Sequence, residues 1–246
     1  MTPLTEEQRA RYDRNVRAFG EEAQRALLRS RVLVVGAGGL GSPVLLYLAA
    51  AGVGTIGISD PDPLDLSNLQ RQVVHGTPDL GVVKSESARR RLADLNPDVT
   101  VTTHPRLTED NAADLLAGWD AVVDATDNYA AKYLIADTAA ALGVPHVWGT
   151  LVGLAFQVSV FWSAPPPPAR PVTLRDLHAA PAVPGTTPTS LDIGVVGAVC
   201  GQAGSVMAAE TIKLLTGIGQ PLLGRVLVGD AAAGRWDVLP FAAKEE

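Results

Sequence analysis

A cluster of glycines, two cations and several carboxylates in this 246-residue chain have the types and spacing for phosphate chemistry. Gly36-Ala-Gly-Gly-Leu-Gly41 fits Gly-x-Gly-x-x-Gly with Gly39 as an extra glycine, and it follows the unbroken apolar run Val32 to Val35. Ser42 to Ala51 behind it reads as a helix ended by Gly52. Strand, glycine turn and helix in that order turn backbone N–H groups and the positive end of a helix toward an anion. Asp60 closes the next expected strand, Gly54 to Asp60, about 20 residues past the glycines, where an acidic side chain accepts hydrogen bonds from ribose hydroxyls.

Further along come Asn68 and Arg71, in the polar connection Pro61 to Gln72, and Lys84, in the first turn of a helix expected from Gly81 to Leu95. A lysine there opposes the helix macrodipole, and a local rule broken without compensation points to function. Asp127 follows the expected strand Trp119 to Asp124, at a carboxyl end, where open α/β sheets bind ligands. Two cations beside an anion loop exceed what the pyrophosphate of a dinucleotide needs. They suit a triphosphate whose leaving pyrophosphate is neutralised as it departs. A carboxylate at a strand end suits Mg²⁺, which binds through one or two carboxylates plus phosphate oxygens. The glycine loop and Asp60 taken alone equally fit a nicotinamide (NAD(P))-dependent oxidoreductase, and a non-catalytic nucleotide-binding scaffold is a third class. His75, His104, His146 and His178 fall in no catalytic pattern, and His75 and His104 read as surface or packing residues. Asp124 is a candidate cap for the helix Tyr129 to Leu142.

The elements that must position these residues follow from periodicity and punctuation. Helices are expected over Thr5 to Ala18, where Thr5 and Gln8 make a capping box, and over Glu21 to Arg29. Arg9, Arg11, Arg14 and Arg17 form either a solvated face or an arm that carries an arginine to a neighbouring subunit. Val99 to Thr103 and Gly143 to Trp148 are further strands, and Thr108 to Leu116 is a short helix. Ala155 to Trp162 alternates, with Phe156, Val158, Val160 and Trp162 on one face, so it reads as a half-buried antiparallel strand. Its apolar surface is a candidate docking face. Pro165 to Pro168 reads as a stiff strut, and 165–192 as a mobile loop. Gly194 to Leu215 is an apolar helix in which Cys200 reads as a buried small hydrophobe, and Arg225 to Asp230 with Arg235 to Leu239 makes a hairpin. The fold class expected is α/β: a Rossmann-like, mostly parallel sheet extended by antiparallel strands, with an N-terminal helical arm. One domain spans 1–246, divided into an arm (1–30), a nucleotide-binding half (31–150) and a second half (151–246).

Bulk properties narrow the partners. A net charge of −6 argues against general binding to nucleic acid or anionic membranes. A single cysteine permits no internal disulfide and suits a reducing compartment. No apolar run approaches the ~18 residues that span a bilayer, and the polar start is no secretory signal, so a cytoplasmic protein is expected.

With its motifs in view, the sequence resembles the ThiF/MoeB/HesA adenylyltransferases, bacterial relatives of ubiquitin-activating enzymes. The matching stretches are Arg11-Tyr-Asp-Arg14, Arg31 to Gly41, Asp60-Pro-Asp62, Leu66-Ser-Asn-Leu-Gln-Arg-Gln72, Lys84-Ser-Glu-Ser-Ala, Leu95-Asn-Pro97 and Asp124-Ala-Thr-Asp-Asn128. The resemblance implies ATP-dependent adenylation of the C-terminal glycine of a ubiquitin-like sulfur carrier ending in Gly-Gly, of the kind serving molybdopterin, thiamine or tRNA thiolation. By motif it assigns Gly36, Gly38, Gly39, Gly41, Asp60, Asp62, Asn68, Gln72 and Asn128 to the nucleotide, and Arg71 and Lys84 to the phosphates and developing charge. Asp127 is assigned to Mg²⁺. It implies a homodimer in which Arg14 reaches the γ-phosphate held by its partner, and the region 151–246 becomes the carrier-binding half. Family members also carry Cys-x-x-Cys pairs for a structural zinc and, in some, a cysteine on the loop crossing the site. This chain has Pro165 to Arg170 in the first zinc region and no cysteine around Pro184 to Leu191. The expectation is therefore no zinc, and a reaction that stops at the adenylate.

Overall fold

The computed structural model describes residues 3–182 and 190–243. Its centre is a sheet whose first strand, β1 (Arg31–Val35), is buried from Val32 onward. β1 lies between β2 (Thr55–Ser59) and β4 (Ala121–Asp124), parallel to both, with β3 (Thr100–His104) outside β2. β5 (His146–Val152) is the seam: parallel to β4 on one side and antiparallel to β6 (Ala155–Phe161) on the other. β7 (Arg225–Asp230) and β8 (Arg235–Pro240) continue the antiparallel part, giving eight strands in the order β3-β2-β1-β4-β5-β6-β7-β8. The parallel strands are separated by crossover helices, as parallel pairing requires.

One face is covered by α3 (Gly41–Ala51), α4 (Lys84–Leu95) and α9 (Gly197–Thr216). A single core beneath them runs from Val34 and Ile56 to Phe156, Val158 and Leu227. That core crosses the expected 150/151 division, which falls within β5. The other face is covered by α5 (Ala112–Leu116) and α6 (Tyr129–Leu142), with Leu116 and Ile135 among the residues buried beneath them. α1 (Glu6–Phe19) and α2 (Glu21–Arg29) are docked on the body rather than projecting: Tyr12, Gln24 and Leu27 are buried.

Two expectations for the second half are corrected. β6 is antiparallel, but it is buried on both faces, not one. Phe156, Val158 and Val160 enter the α9-side core, while Phe161 packs with Tyr133, Trp148 and Leu174 on the other side. Phe156 is therefore a core residue and not a docking surface; the exposed apolar side chains of the extension include Trp236, Val238 and Leu239 on β8. The expected mobile loop is also docked over the part described. Trp162 and Val172 exchange backbone hydrogen bonds of 2.8 and 3.0 Å, closing the base of the proline run. α7 (Leu174–Leu177) then buries Leu174 against α6, and Arg175 grips Asp137 at 2.8 and 2.7 Å. Residues 183–189 of that loop lie outside the described residues, and a short helix, α8 (Ser190–Ile193), precedes α9.

Candidate functional site

The glycine loop is shaped by what it touches. Gly36 has φ +100°, and a Cβ there would lie 2.7 Å from the Ala125 carbonyl oxygen, so no other residue fits. This contact sets the loop after β1 directly against the loop after β4, which carries Asp127. Asp60 braces the turn from β2: one carboxylate oxygen accepts the Ala37 N–H at 2.8 Å and the other accepts the Asp62 N–H at 3.2 Å. Each oxygen keeps a lone pair for a further donor. The Lys84 N–H then donates to the Asp62 carbonyl at 2.9 Å, which fixes the start of α4 beside the same turn. Lys84 is the first residue of α4, as expected, and its half-buried ammonium makes no hydrogen bond or ion pair among the described residues.

Arg71 and Gln72 come from a turn that packs on the glycines. The Arg71 side chain passes Gly39 and donates to the Ser67 carbonyl at 3.1 Å, and the Gln72 amide nitrogen faces Gly38. Gln72 is buried, yet its carbonyl oxygen has no partner among the described residues. Asn68 uses its side-chain oxygen to accept the Asp65 N–H at 3.1 Å, which closes the short helical turn Leu66–Asn68. Cys200, in the first turns of α9, lies behind Gly39; burial pushes its thiol up, with Arg71 partly opposing, so it is a packing residue.

The loop after β4 holds two carboxylates with opposite fates. Asp124 is wholly buried and does not cap α6. Its oxygens accept from Lys132 Nζ at 3.3 and 3.4 Å and from the Thr126 hydroxyl and N–H at 2.6 and 3.0 Å. Burial alone raises its carboxyl, but Lys132, His146 and Thr126 together hold it below the usual carboxylate range. Lys132 also donates to the Gly149 carbonyl at 2.7 Å, tying the loop to β5. Asp127 is exposed and makes no ion pair or hydrogen bond among the described residues. One exposed carboxylate at a strand end, beside a glycine loop, fits a magnesium ion whose remaining ligands are phosphate oxygens and water.

Three of the expected site residues are otherwise engaged or lie elsewhere. Asn128 is the N-cap of α6, accepting the Ala131 N–H at 2.9 Å, and this is the role first considered for Asp124. The Asp62 carboxylate pairs with Arg106 at 2.6 Å. Arg14 sits on α1, exposed and away from the glycine loop. The paired-cysteine zinc clip does not fit this chain. Its one cysteine is Cys200 in α9, and backbone bonds between Trp162 and Val172 close the first of the two regions instead.

Two residues to which sequence reasoning gave no part in the site support it, and of the two roles read for His75 the structure shows packing. His75 is buried, with its Nε2 2.9 Å from the Ala37 carbonyl and its Nδ1 2.8 Å from the Ser87 hydroxyl. The carbonyl accepts only, so Nε2 carries the proton and Nδ1 accepts from Ser87. His75 thus anchors the glycine loop to α4. Its sequence position held no signal of this. Lys132 did leave one: a lone lysine within the apolar stretch Tyr129 to Leu142, a helix following two aspartates.

Among curated proteins, "Probable adenylyltransferase/sulfurtransferase MoeZ" of Mycobacterium tuberculosis is 49% identical over 231 residues, 93% of this chain; the chain spans only 59% of MoeZ. The sulfur carrier protein adenylyltransferase of Thermus thermophilus is 44% identical over 92% of this chain and 85% of its own length. Among solved structures, SeMet PaaA superposes with a TM-score of 0.82 at 21% identity, covering 98% of this chain and 76% of that one, a likeness of fold. The ThiF family model matches residues 12–246, and this chain belongs to the ThiF family.

Proposed function

We propose that this chain adenylates the C-terminal glycine of a ubiquitin-like sulfur carrier ending in Gly-Gly, using ATP and Mg²⁺, as a homodimer in the cytoplasm. The observation that carries the reading is the convergence of three strand-end loops. The glycine loop lies against the Asp127 loop on one side, while Arg71 packs over Gly39 and Lys84 opens α4 next to Asp60. The name of the Thermus thermophilus relative supports the same reaction on the same class of partner, and that of MoeZ supports adenylyl transfer.

In the reaction, a carboxylate oxygen of the carrier attacks the α-phosphorus of ATP. A phosphorus–oxygen bond forms there, the bond to the α–β bridging oxygen breaks, and pyrophosphate leaves with the electron pair. No proton transfer is needed, so positioning and electrostatic stabilisation carry the catalysis. The Gly36 and Ala37 N–H groups are spent on Ser59 and Asp60, so those from Gly38 to Gly41 hold phosphate oxygens, and Asp60 turns its free lone pairs to the ribose. Arg71, Lys84 and Asn68 meet the charge that gathers on the departing pyrophosphate. Asp127 would hold Mg²⁺, which would supply neutralisation of the phosphate charge when bound. Asp62 and Asn128 act here through their backbone and cap rather than by touching the nucleotide.

Carrier-dependent exchange of labelled pyrophosphate into ATP tests this. Asp127→Ala and Arg71→Ala are each expected to lower exchange by on the order of 10²–10³-fold, as loss of a preorganised electrostatic contact does. Robust exchange in Asp127→Ala removes the magnesium role. ATP binding without exchange for any Gly-Gly carrier favours the scaffold, and NADH binding without ATP binding favours an oxidoreductase.

A further inference from the structure

α3 connects the glycine loop at one end to the N-terminal helices at the other. In its last turn, the Ala49 carbonyl accepts from Asn96 Nδ2 at 2.7 Å and the Ala51 carbonyl from Gln24 Nε2 at 2.8 Å. Side chains thus cap carbonyls where the helix's own bonding runs out. Tyr12 of α1 is wedged into the same corner, 1% exposed. Its ring lies so close to Gly52, where φ is +83°, that a Cβ would come within 2.7 Å. The Tyr12 hydroxyl donates to Asp98 at 3.1 Å and accepts from Asn96 at 2.9 Å. Burial pushes that hydroxyl up to about 12, so it stays protonated as a donor. Asn15 bonds Gln24 at 3.2 Å, and Arg11 donates to the Leu95 carbonyl at 3.3 Å. α1 is therefore fastened to the distal ends of α3 and α4.

Arg14 follows Tyr12 by two positions, roughly 200° around α1, so it faces away from the body. Arg9, Arg11 and Arg17 on the same helix are paired with Glu21, Glu7 and Asp13, whereas Arg14 has no partner among the described residues. About 16 Å of helix separates the fastened corner from the glycine loop of the same chain, more than an arginine side chain spans. An outward, unpaired arginine so placed is out of reach of its own glycine loop and is open to a second molecule.

We infer that Tyr12 is a positioning residue: its wedge against Gly52 and its bond to Asn96 fix the pitch of α1 so that Arg14 meets the nucleotide bound by a second copy of this chain. The inference rests on the homodimeric adenylation reading above. It makes Tyr12 act in the partner's site and not in its own.

Hybrid dimers separate the two. Full-length variants are co-expressed with different tags, hybrids are purified through both, and carrier-dependent pyrophosphate exchange is measured. Tyr12→Leu and Arg14→Ala homodimers are expected to lose on the order of 10- to 100-fold in exchange. Both should bind AMP, which lacks the γ-phosphate, as the wild type does. Arg14→Ala paired with Asp127→Ala recovers about half of wild-type exchange, because one of the two symmetric sites is whole. Tyr12→Leu paired with Asp127→Ala recovers likewise, and Tyr12→Leu paired with Arg14→Ala does not. Tyr12→Phe, which keeps the wedge, keeps most of the exchange. The reverse pattern, recovery with Arg14→Ala and none with Asp127→Ala, overturns the role of Tyr12 while leaving the dimer reading intact. So does an unimpaired Tyr12→Leu homodimer. Failure of the Arg14→Ala and Asp127→Ala pair removes the shared site and this inference with it. If Tyr12→Leu does not fold, Gly52→Ala, whose Cβ would meet the Tyr12 ring at 2.7 Å and displace the wedge, takes its place in the same hybrids, with the same expected pattern and the same reversal counting against the role.

Discussion

Ionic side chains are treated differently in the two halves of the sheet. Around the carboxyl ends of β1, β2 and β4, Asp127 and Lys84 are left without partners among the described residues, and Arg71 bonds only a backbone carbonyl. Around the antiparallel extension, charges are tied off. Arg175 holds Asp137, Arg235 holds Asp237 at 2.8 Å, and Glu210 pairs with Lys213 while accepting the Leu222 N–H at 2.7 Å. The parallel half even contains both treatments within one loop, where Asp124 is buried and paired and Asp127, three residues on, is exposed and unpaired. Burial with a full set of partners marks a carboxylate that holds the fold together. An unpaired one at a strand end marks a carboxylate kept for a ligand.

The sharpest way to break that distinction is to remove the buried cation. Lys132→Met leaves the Asp124 charge in the core with only Thr126 and the His146 ring, at 3.8 Å, nearby. Stripping one partner from a buried pair costs about 3–5 kcal/mol. Urea unfolding should show a loss of that size, and Lys132→Met combined with Asp124→Asn should regain most of it, since the amide oxygen still accepts from Thr126. A wild-type midpoint for Lys132→Met would mean that the pair is not what braces the loop.

The exposed pair in the other half supplies the contrast. Arg175 and Asp137 are both about half exposed, and exposed pairs contribute roughly 0.2–1 kcal/mol. Arg175 also covers the Tyr133 ring at 5.2 Å and bonds the Ala179 carbonyl at 3.0 Å. Arg175→Ala should therefore cost about 1 kcal/mol, at the upper end of that range, and leave ATP affinity unchanged. A loss as large as that of Lys132→Met would show that α7 is a clamp on α6, and the two halves would no longer differ.

The ease of reading each half from sequence follows the same division. β1, the glycine loop and α3 are legible because their signals are local: an unbroken apolar run, a Gly-x-Gly-x-x-Gly turn, and a C-terminal Gly52. Asp60, Arg71 and Lys84 were legible by their offsets from those elements. β6 was misread because alternation reports only one covered face. Whether α6 and α7 also cover the Phe161 side depends on residues 130–177 folding back across it. The docking of 170–178 hangs on Asp137 and Tyr133, over thirty residues earlier in the chain, and no local pattern announces such a partnership. Asn128 is the cap for a local reason, since it directly precedes Tyr129, whereas Asp124 lies four residues earlier and is buried against Lys132.

His75 gives the smallest and most discriminating effect, because it anchors the site without facing it. Burial lowers its pKa, with Lys84 acting in the same direction and the Ala37 carbonyl and Asp60 opposing. The folded chain therefore resists protonation that the unfolded chain accepts near pH 6.5. Between the two values the unfolded state binds more protons, so stability rises with pH through that window. The contribution is fully present above about pH 6.5 and is lost as pH falls through the folded value. Once protonated, Nδ1 donates instead of accepting, so the Ser87 hydroxyl must turn a lone pair to it, and the imidazolium charge is buried between the glycine loop and α4. His104 and His178 are shifted the same way by burial, so the wild-type slope alone does not isolate His75. Comparing urea midpoints at successive pH values does: His75→Gln should be less stable at neutral pH and should lose less on acidification. Parallel curves would assign the acid sensitivity to His104 and His178, which touch neither the glycine loop nor α4.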